Sequence, residues 1–546
     1  MNEFLAVLGA INAVLLSVPV LVALLVAGVA FTIFSGFSQY RSLTHGFGLV
    51  SGRHDLAEDG KGVLSHFQAL AAALSATVGL GNIGGVAIAV ALGGPGAVFW
   101  MWMVGVVGMA IKTVEVTLAM IYRDTSDPNN PHGGTMYVCR DGLRALSPRL
   151  AGIGAMVGAF FAVALIVFGL TGGNMFQAWN AAELARSYFG VPSWISGIVL
   201  AVLVGLVIIG GIRRIGHAAA ALVPFMCLIY IVCGLGVLFA NVGELPRLLN
   251  LIVTSAFSPA EASGAFTGAA VGTAFLFGMR RALFSSEAGM GSAPIAHAAV
   301  RTRKPASEGV VAGLEPFIDT LVVCTITAMV ILSSGIWDRD AATTLDAAPT
   351  FERTASGTWA PDAAALPDID GIEAGDSVFI VARDASGELQ RVYAEVGEGG
   401  TLNWQDTTGD RAPRARDGAI YLDLPAAALT AAAFDSAAPG LGRWMVTIAV
   451  WLFALSTMIT WSYYAEQGVV YLSRGSTRVV TGFRMLWCAL IVVATAGIVR
   501  TDAQLDTLST VAIGFMLIIN LPVMILLAHK ALATQRQYFR ELRSEG

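Results

Sequence analysis

Two glycine-rich interruptions in long apolar runs carry the groups most able to do chemistry. The first, SATVGLGNIGGVAIAV, has glycines at 79, 81, 84 and 85; the second, GTAFLFGMRRALFSSEAGMGSAPIAH, opens on Gly272 and has further glycines at 278, 289 and 291. A membrane helix that unwinds exposes backbone N–H and C=O groups with the partial charges of helix ends. Unwinding around 79–82 starts an outer half-helix near Ile83, whose N–H groups suit a carboxylate. The inner half then ends near Thr77 and Val78, whose carbonyls suit a small cation. Unwinding of the second run near Phe277 leaves carbonyls for an ammonium group. One zwitterion fits between the two, with Gly79, Leu80, Gly81, Ile83 and Gly84 lining the first break and Thr273, Phe275 and Phe277 preceding the second. Close helix packing explains a single glycine cluster equally well; two at corresponding positions favour a site.

Several side chains add to these backbone groups. Asn82 follows the first break, where its carbonyl suits a cation or caps the next half-helix. Asn174 and Gln177 are three apart and so share a helical face; neutral amides orient a zwitterion, or hydrogen-bond between helices. Ser456 and Thr457 are adjacent hydroxyls in an apolar segment, hard donors for a cation unless they bond back to a carbonyl one turn earlier. Trp461 lies beside them and, with Phe277, is expected to close over a small side chain. Lys112 and Glu115 are three residues apart at a depth where charges are held most cheaply as a pair, as a brace or a proton relay. Arg280, Arg281 and Glu287 are expected on the cytoplasmic side of the second break, as gate or brace. His297 reads as structural, as do the five cysteines, which show no metal-ligand spacing.

Elements able to position these groups follow from composition. The 546 residues are 55% hydrophobic and only 13% charged, with mean hydropathy +0.69, against about a quarter charged in soluble domains. Hydropathy predicts eleven spans of lipid bilayer, at 15–34, 65–92, 97–121, 151–176, 194–212, 218–240, 266–299, 310–336, 445–472, 479–498 and 505–528. The N-terminus has no basic n-region and reads as part of the first span rather than a signal peptide. Eighteen basic residues lie in alternate short loops and the tail, against Arg186, Arg247 and Arg500 in the opposite loops. This bias puts the N-terminus outside and the C-terminus in the cytoplasm.

A polar segment separates spans eight and nine, dividing the chain into 1–337, 338–440 and 441–546. The middle segment holds 18 of the 38 acidic residues and 7 of the 33 basic ones. Its run SVFIVARDASGELQRVYAEVGE alternates apolar and polar residues about Asp384-Ala385-Ser386-Gly387, predicting a β-hairpin in a small extracytoplasmic domain.

The interrupted spans two and seven lie five apart and run in opposite directions. Spans 2–6 and 7–11 are then two halves of an inverted repeat, with the first span extra. The motifs TVGLGNIGGVAIAVALGGPGAVFWMW, GMAIKTVEVTLAMIYRD, TGGNMFQ, RRALFSSEAGMGSAPIAHAA and STMITWSYYAEQG resemble the alanine/glycine:cation symporter family. The resemblance implies an all-α polytopic membrane protein of LeuT-type 5+5 fold with alternating access, in a bacterial inner (plasma) membrane. It implies import of a small neutral amino acid, alanine or glycine, with Na⁺ or in some cases H⁺. It further implies Asn174 and Gln177 as substrate contacts and Asn82 as a Na⁺ ligand. By the same resemblance, Ser456 and Thr457 complete a second Na⁺ site with carbonyls of Ser75 and Val78. An intramembrane enzyme would need a nucleophile–base pair or HExxH, which the sequence lacks, and no nucleic-acid motif is present. An amino-acid sensor using the insert is the other rival, though only about 18 residues follow the last span to carry an output.

Overall fold

Apolar side chains point outward over much of the surface while polar ones are buried, the reverse of a protein in water. Val22, Val26 and Ile33, Val202 and Leu206, and Leu228 and Phe239 are exposed, whereas Asn82, Lys112, His297 and Glu315 are fully buried. A hydrocarbon solvent favours this distribution, and it leaves backbone groups to be satisfied within helices. The computed structural model describes residues 2–53, 61–127, 130–257, 271–355, 357–366, 372–384, 389–407, 410–424, 426–498 and 502–545.

The principal helices are α1 (Asn2–Leu15), α2 (Val18–Phe34), α3 (His66–Thr77), α4 (Val86–Gly93), α5 (Gly96–Ile121), α6 (Ala151–Leu170), α7 (Phe176–Phe189), α8 (Ser193–Ile208) and α9 (Gly211–Ala240). After the undescribed 258–270 come α10 (Val271–Ser286), α11 (Pro294–His297), α12 (Pro305–Ala312), α13 (Thr325–Ser334), α14 (Ala426–Ala437), α15 (Leu441–Ser473), α16 (Thr477–Thr495) and α17 (Asp502–Glu545). Among the described residues, eight helical segments are long and apolar enough to cross a membrane. The pair His66–Thr77 and Gly81–Gly93, bent by 55°, makes a ninth. α8 and α10, at 16 residues each, fall just short of the ~17 residues that a spanning helix needs. The first part of the expected seventh span, 266–270, lies outside the described residues.

Among the described residues every strand falls within 343–422. β1 (Thr343–Thr344), β4 (Ser377–Arg383), β5 (Leu389–Val396), β6 (Leu402–Trp404) and β8 (Ala419–Leu422) form a sheet in the order β1-β8-β4-β5-β6, with β7 (Arg414–Ala415) also on β4. β2 (Phe351–Arg353) pairs with β3 (Trp359–Pro361). β4 and β5 are antiparallel, with Ile380 opposite Val392, as the alternating pattern predicts; the expected turn at 385–387 lies outside the described residues. Period-two alternation puts Val378, Ile380 and Ala382 into one buried cluster and Phe379 and Val381 into another.

Arg391 ties this sheet to the helices: its guanidinium lies 4.3 Å from the centre of the Phe379 ring and donates from Nη2 to the Ala91 carbonyl at 3.2 Å. Burial lowers the neighbouring Arg339 to about 10. Burial raises the half-buried Asp423 carboxyl above the usual carboxylate range, against the opposing pull of Arg391 and Arg339. The folded sheet therefore holds that proton more tightly than the unfolded chain, and stability falls as pH rises through the raised value. Asp423→Asn is expected to slow proteolysis within 343–422 at about pH 7 and to change little below about pH 3. Equal protection of variant and wild type at both pH values would contradict this.

Candidate functional site

The first break follows from the chain's own capping. Ser65 caps the start of α3 in a reciprocal capping box with Gln68, and α3 runs to Thr77 before Val78 turns extended. A π-turn over Gly81–Gly85 then leads into α4. Such widened turns recur at functional sites because they leave helix hydrogen bonds displaced. Asn82 braces this break: its Oδ1 accepts from Gly79 N at 2.9 Å, and its Nδ2 donates to the Asp319 carbonyl and to Cys324 Sγ, both at 3.3 Å. Asn82 thus ties the extended residues before the turn to 319–324, and its side chain caps neither the turn nor α4.

The second break lies elsewhere than expected. α10 continues unbroken past Phe277 to Ser286, and the left-handed residues are Glu287, Gly289 and Gly291, at φ of 51°, 84° and 85°. Gly278 is instead a packing glycine, since a Cβ there would come within 2.4 Å of the Ala97 carbonyl on α5. A glycine forced by close approach and one forced by positive φ look alike in sequence. The correction relocates four expected groups. Thr273 and Phe277 lie against Gly93 at the end of α4 and do not line the central cavity. Arg280 and Arg281 precede the break rather than follow it. Arg280 Nη2 donates to the Leu16 carbonyl at 3.2 Å, and Arg281 lies 3.5 Å from Asp506.

Between the breaks is a cavity of about 250 Å³, its open mouth included. Thr77, Gly79 and Gly81 line it from the first break, Glu287 from the second, Gln177 from α7, and Thr457 and Trp461 from α15. Phe168 and Phe284 complete the aromatic wall, with the Phe168 and Trp461 ring centres 4.5 Å apart. Gln177 Nε2 donates to the Gly172 carbonyl at 3.0 Å, leaving its buried Oε1 without a hydrogen-bond partner among the described residues. The buried Glu287 carboxylate accepts from Ser292. Phe284, in the last turn of α10, and Phe168, in a uniformly apolar run, carry no signal in the sequence that sets them apart from packing residues.

A second cavity of about 280 Å³ lies beyond Phe284 and takes in Leu80, Gly84, Asn180, Arg281 and the start of α14. Leu80 and Gly84 therefore face this cavity rather than the central one. The Ile83 carbonyl accepts from Thr430 of α14 at 3.1 Å, so its backbone is tied to that helix.

The oxygen donors on α3 and α15 meet. Thr457 Oγ1 donates to the Ser75 carbonyl at 3.1 Å, Ser75 Oγ to the Ser456 carbonyl at 2.7 Å, and Thr460 Oγ1 to Ser75 Oγ at 2.9 Å. Ser456 Oγ bonds back to the Phe453 carbonyl at 3.0 Å, and Thr77 Oγ1 to that of Ala73 at 3.3 Å. This is a neutral, all-oxygen set of the kind a hard cation accepts; Thr460 was not anticipated.

Two expected pairings separate. A π-turn over Thr171–Met175 changes the angular step between Asn174 and Gln177. Asn174 consequently turns away, donating to the Trp487 carbonyl on α16 at 2.9 Å. Lys112 pairs with Glu315 at 3.1 Å, while Glu115 accepts from Asn520 of α17 at 2.5 Å. Among the described residues no His/Cys/Asp/Glu group has metal-binding geometry.

The sequence profile described as the Sodium:alanine symporter family matches residues 1–366 and 418–546. Similar curated proteins include the sodium/alanine symporter AgcS of Methanococcus maripaludis, 34% identical over 99% of this chain and 98% of that one. YrbD of Bacillus subtilis, whose name provisionally describes a sodium/proton-dependent alanine carrier, is 34% identical over 99% of this chain and 93% of its own. The amino-acid carrier protein AlsT of the same organism is 39% identical over 56% of this chain and 62% of its own.

Proposed function

The chain belongs to the sodium:alanine symporter family, and on that premise we propose that it imports alanine or glycine together with Na⁺ by alternating access. The observation that carries this reading is the small cavity between the two helix breaks. The substrate carboxylate meets the N–H groups that open the Gly81–Gly85 turn. The ammonium group lies toward the unpartnered Gln177 Oε1 and the Glu287 carboxylate. Phe168, Phe284 and Trp461 form the aromatic wall against which a small apolar side chain packs. Na⁺ takes the carbonyls of Ser75 and Val78 with the hydroxyls of Ser456 and Thr457. Arg281 and Asp506 form a gate above Phe284.

This reading places the chain in a bacterial inner membrane as eleven spans, a LeuT-type 5+5 repeat preceded by one further helix. The N-terminus is extracytoplasmic and the C-terminus cytoplasmic, and 338–440 forms an acidic extracytoplasmic domain between membrane regions 1–337 and 441–546. Support comes from the opposed interrupted helices, the basic-residue bias and the stretch 367–417 that the family profile leaves unmatched. Proton coupling is a second reading, favoured by the name given to YrbD. Alanine uptake into proteoliposomes is expected to require external Na⁺ and to stop when choline replaces it. Uptake driven by a pH gradient without Na⁺ would overturn the cation assignment.

A further inference from the structure

Behind the cytoplasmic joint between α3 and α11 runs a chain of buried ionisable groups that the proposed transport site does not use. His66, on α3, contacts Glu308 through Nδ1; Glu308, on α12, contacts His297 Nδ1 with its other oxygen. His297 Nε2 lies 2.7 Å from Glu315 Oε1, and Glu315 Oε2 lies 3.1 Å from Lys112 Nζ. His297, Glu308, Glu315 and Lys112 are all fully buried. An imidazole with a carboxylate oxygen at each nitrogen must donate from both, and only imidazolium can do so; otherwise one carboxyl carries the proton. The arrangement therefore contains a proton. With it, the charges of His297 and Lys112 balance those of Glu308 and Glu315. Without it, a buried carboxylate loses its donor and the cluster carries uncompensated negative charge.

The cluster sits beside a backbone joint that, in the proposed orientation, closes the cytoplasmic side. Val63 and Leu64 donate to the Ala299 carbonyl at 2.8 and 3.1 Å, and Arg301 N donates to the Leu64 carbonyl at 2.9 Å. Arg123, next in charge to Glu308, clasps the same joint by donating to the carbonyls of Lys61, Ala298, Val300 and Thr302. The remaining nearby acids are engaged elsewhere: Glu115 with Asn520, Glu287 with Ser292, and Asp319 with Thr320. Their proximity makes loss of the shared proton more costly. The chain's outer end, His66, is 6% exposed at the start of α3, so exchange runs toward the cytoplasm.

The geometry points to His297, Glu308 and Glu315 as a proton-binding lock: the closed cytoplasmic side holds one proton there, and opening releases it to the cytoplasm. This rests on the alternating-access reading and adds control by cytoplasmic pH. Because the closed state binds one more proton than the open state, opening grows more favourable by up to about tenfold per pH unit between their two affinities.

Hydrogen–deuterium exchange of the full-length protein in lipid nanodiscs, between about pH 6 and about pH 9, tests it. After correction for the chemical exchange rate, peptides covering 61–66 and 297–302 are expected to exchange faster as pH rises, with a slope approaching tenfold per unit. His297→Gln and Glu308→Gln are each expected to abolish that slope. A flat wild-type profile would overturn the lock whether or not the variants fold, as would a variant that folds and keeps the wild-type slope. Alanine uptake by the same preparation reads the transport assignment separately: a flat profile with intact uptake sinks the lock alone.

Discussion

Replacing Lys112 with methionine is expected to cost about 3–5 kcal/mol of stability, because it strands the fully buried Glu315 carboxylate without its ammonium partner. The readout is the thermal midpoint of detergent-solubilised protein. Which second substitution repairs the loss identifies the partner. Glu315→Gln in the Lys112→Met background removes the stranded charge, while its amide oxygen still accepts from His297 Nε2, so most of the loss is recovered. Glu115→Gln in the same background is expected to recover much less, since the Glu115 carboxylate is held by Asn520 at 2.5 Å. Spacing along α5 favours Lys112 with Glu115; the contact at 3.1 Å favours Glu315. Greater recovery with Glu115→Gln would restore the intrahelical pair.

The second large effect is on transport. Gln177→Ala removes a buried side-chain amide oxygen in the cavity that lacks a partner among the described residues. A hydrogen bond to a charged group is worth about 1.5–3 kcal/mol, so the loss corresponds to a fall of roughly 10- to 150-fold in alanine uptake at low substrate. Expression and thermal midpoint should stay near wild type, because the Gly172 carbonyl is the only described bond partner that Gln177 gives up. Asn174→Ala is the matched control, three residues away. It breaks the bond to the Trp487 carbonyl between α6–α7 and α16, at about 1–3 kcal/mol. Its cost therefore appears as lower stability, with uptake per folded molecule little changed. If the two variants were reversed, losing stability at 177 and transport at 174, the central cavity would not be the substrate site.

Much of the architecture was legible in the sequence for reasons that are local. Apolar runs of bilayer length must be buried in lipid or protein, and the period-two alternation on either side of Asp384 can bury one face only as paired strands. The glycine cluster at 79–85 marked the first break correctly because small residues let the widened turn pack closely: a Cβ at Gly79, Gly81 or Gly84 would meet Thr457, Phe284 or Ala426. The family motifs likewise lie in contiguous stretches. The same chain also offered the adjacent Ser456 and Thr457, and the meeting of the Ser456 carbonyl and the Thr457 hydroxyl with Ser75 across α3 and α15 needed only that both segments pass through the centre.

The rest depended on how helices rotate against one another, which no spacing rule contains. Gly278 and Gly289 are equivalent as letters, yet one makes room for the Ala97 carbonyl and the other turns the chain at φ of 84°. A π-turn between Asn174 and Gln177 shifts their phase, sending one amide to a neighbouring helix and the other into the cavity. Lys112 found its partner 203 residues away, and two histidines join two glutamates only because α3, α11 and α12 converge. The sequence by itself determined where charge and backbone strain had to be placed; only the tertiary structure decided which groups answer each other, because a buried charge is satisfied by whatever lies within hydrogen-bond reach, however distant along the chain.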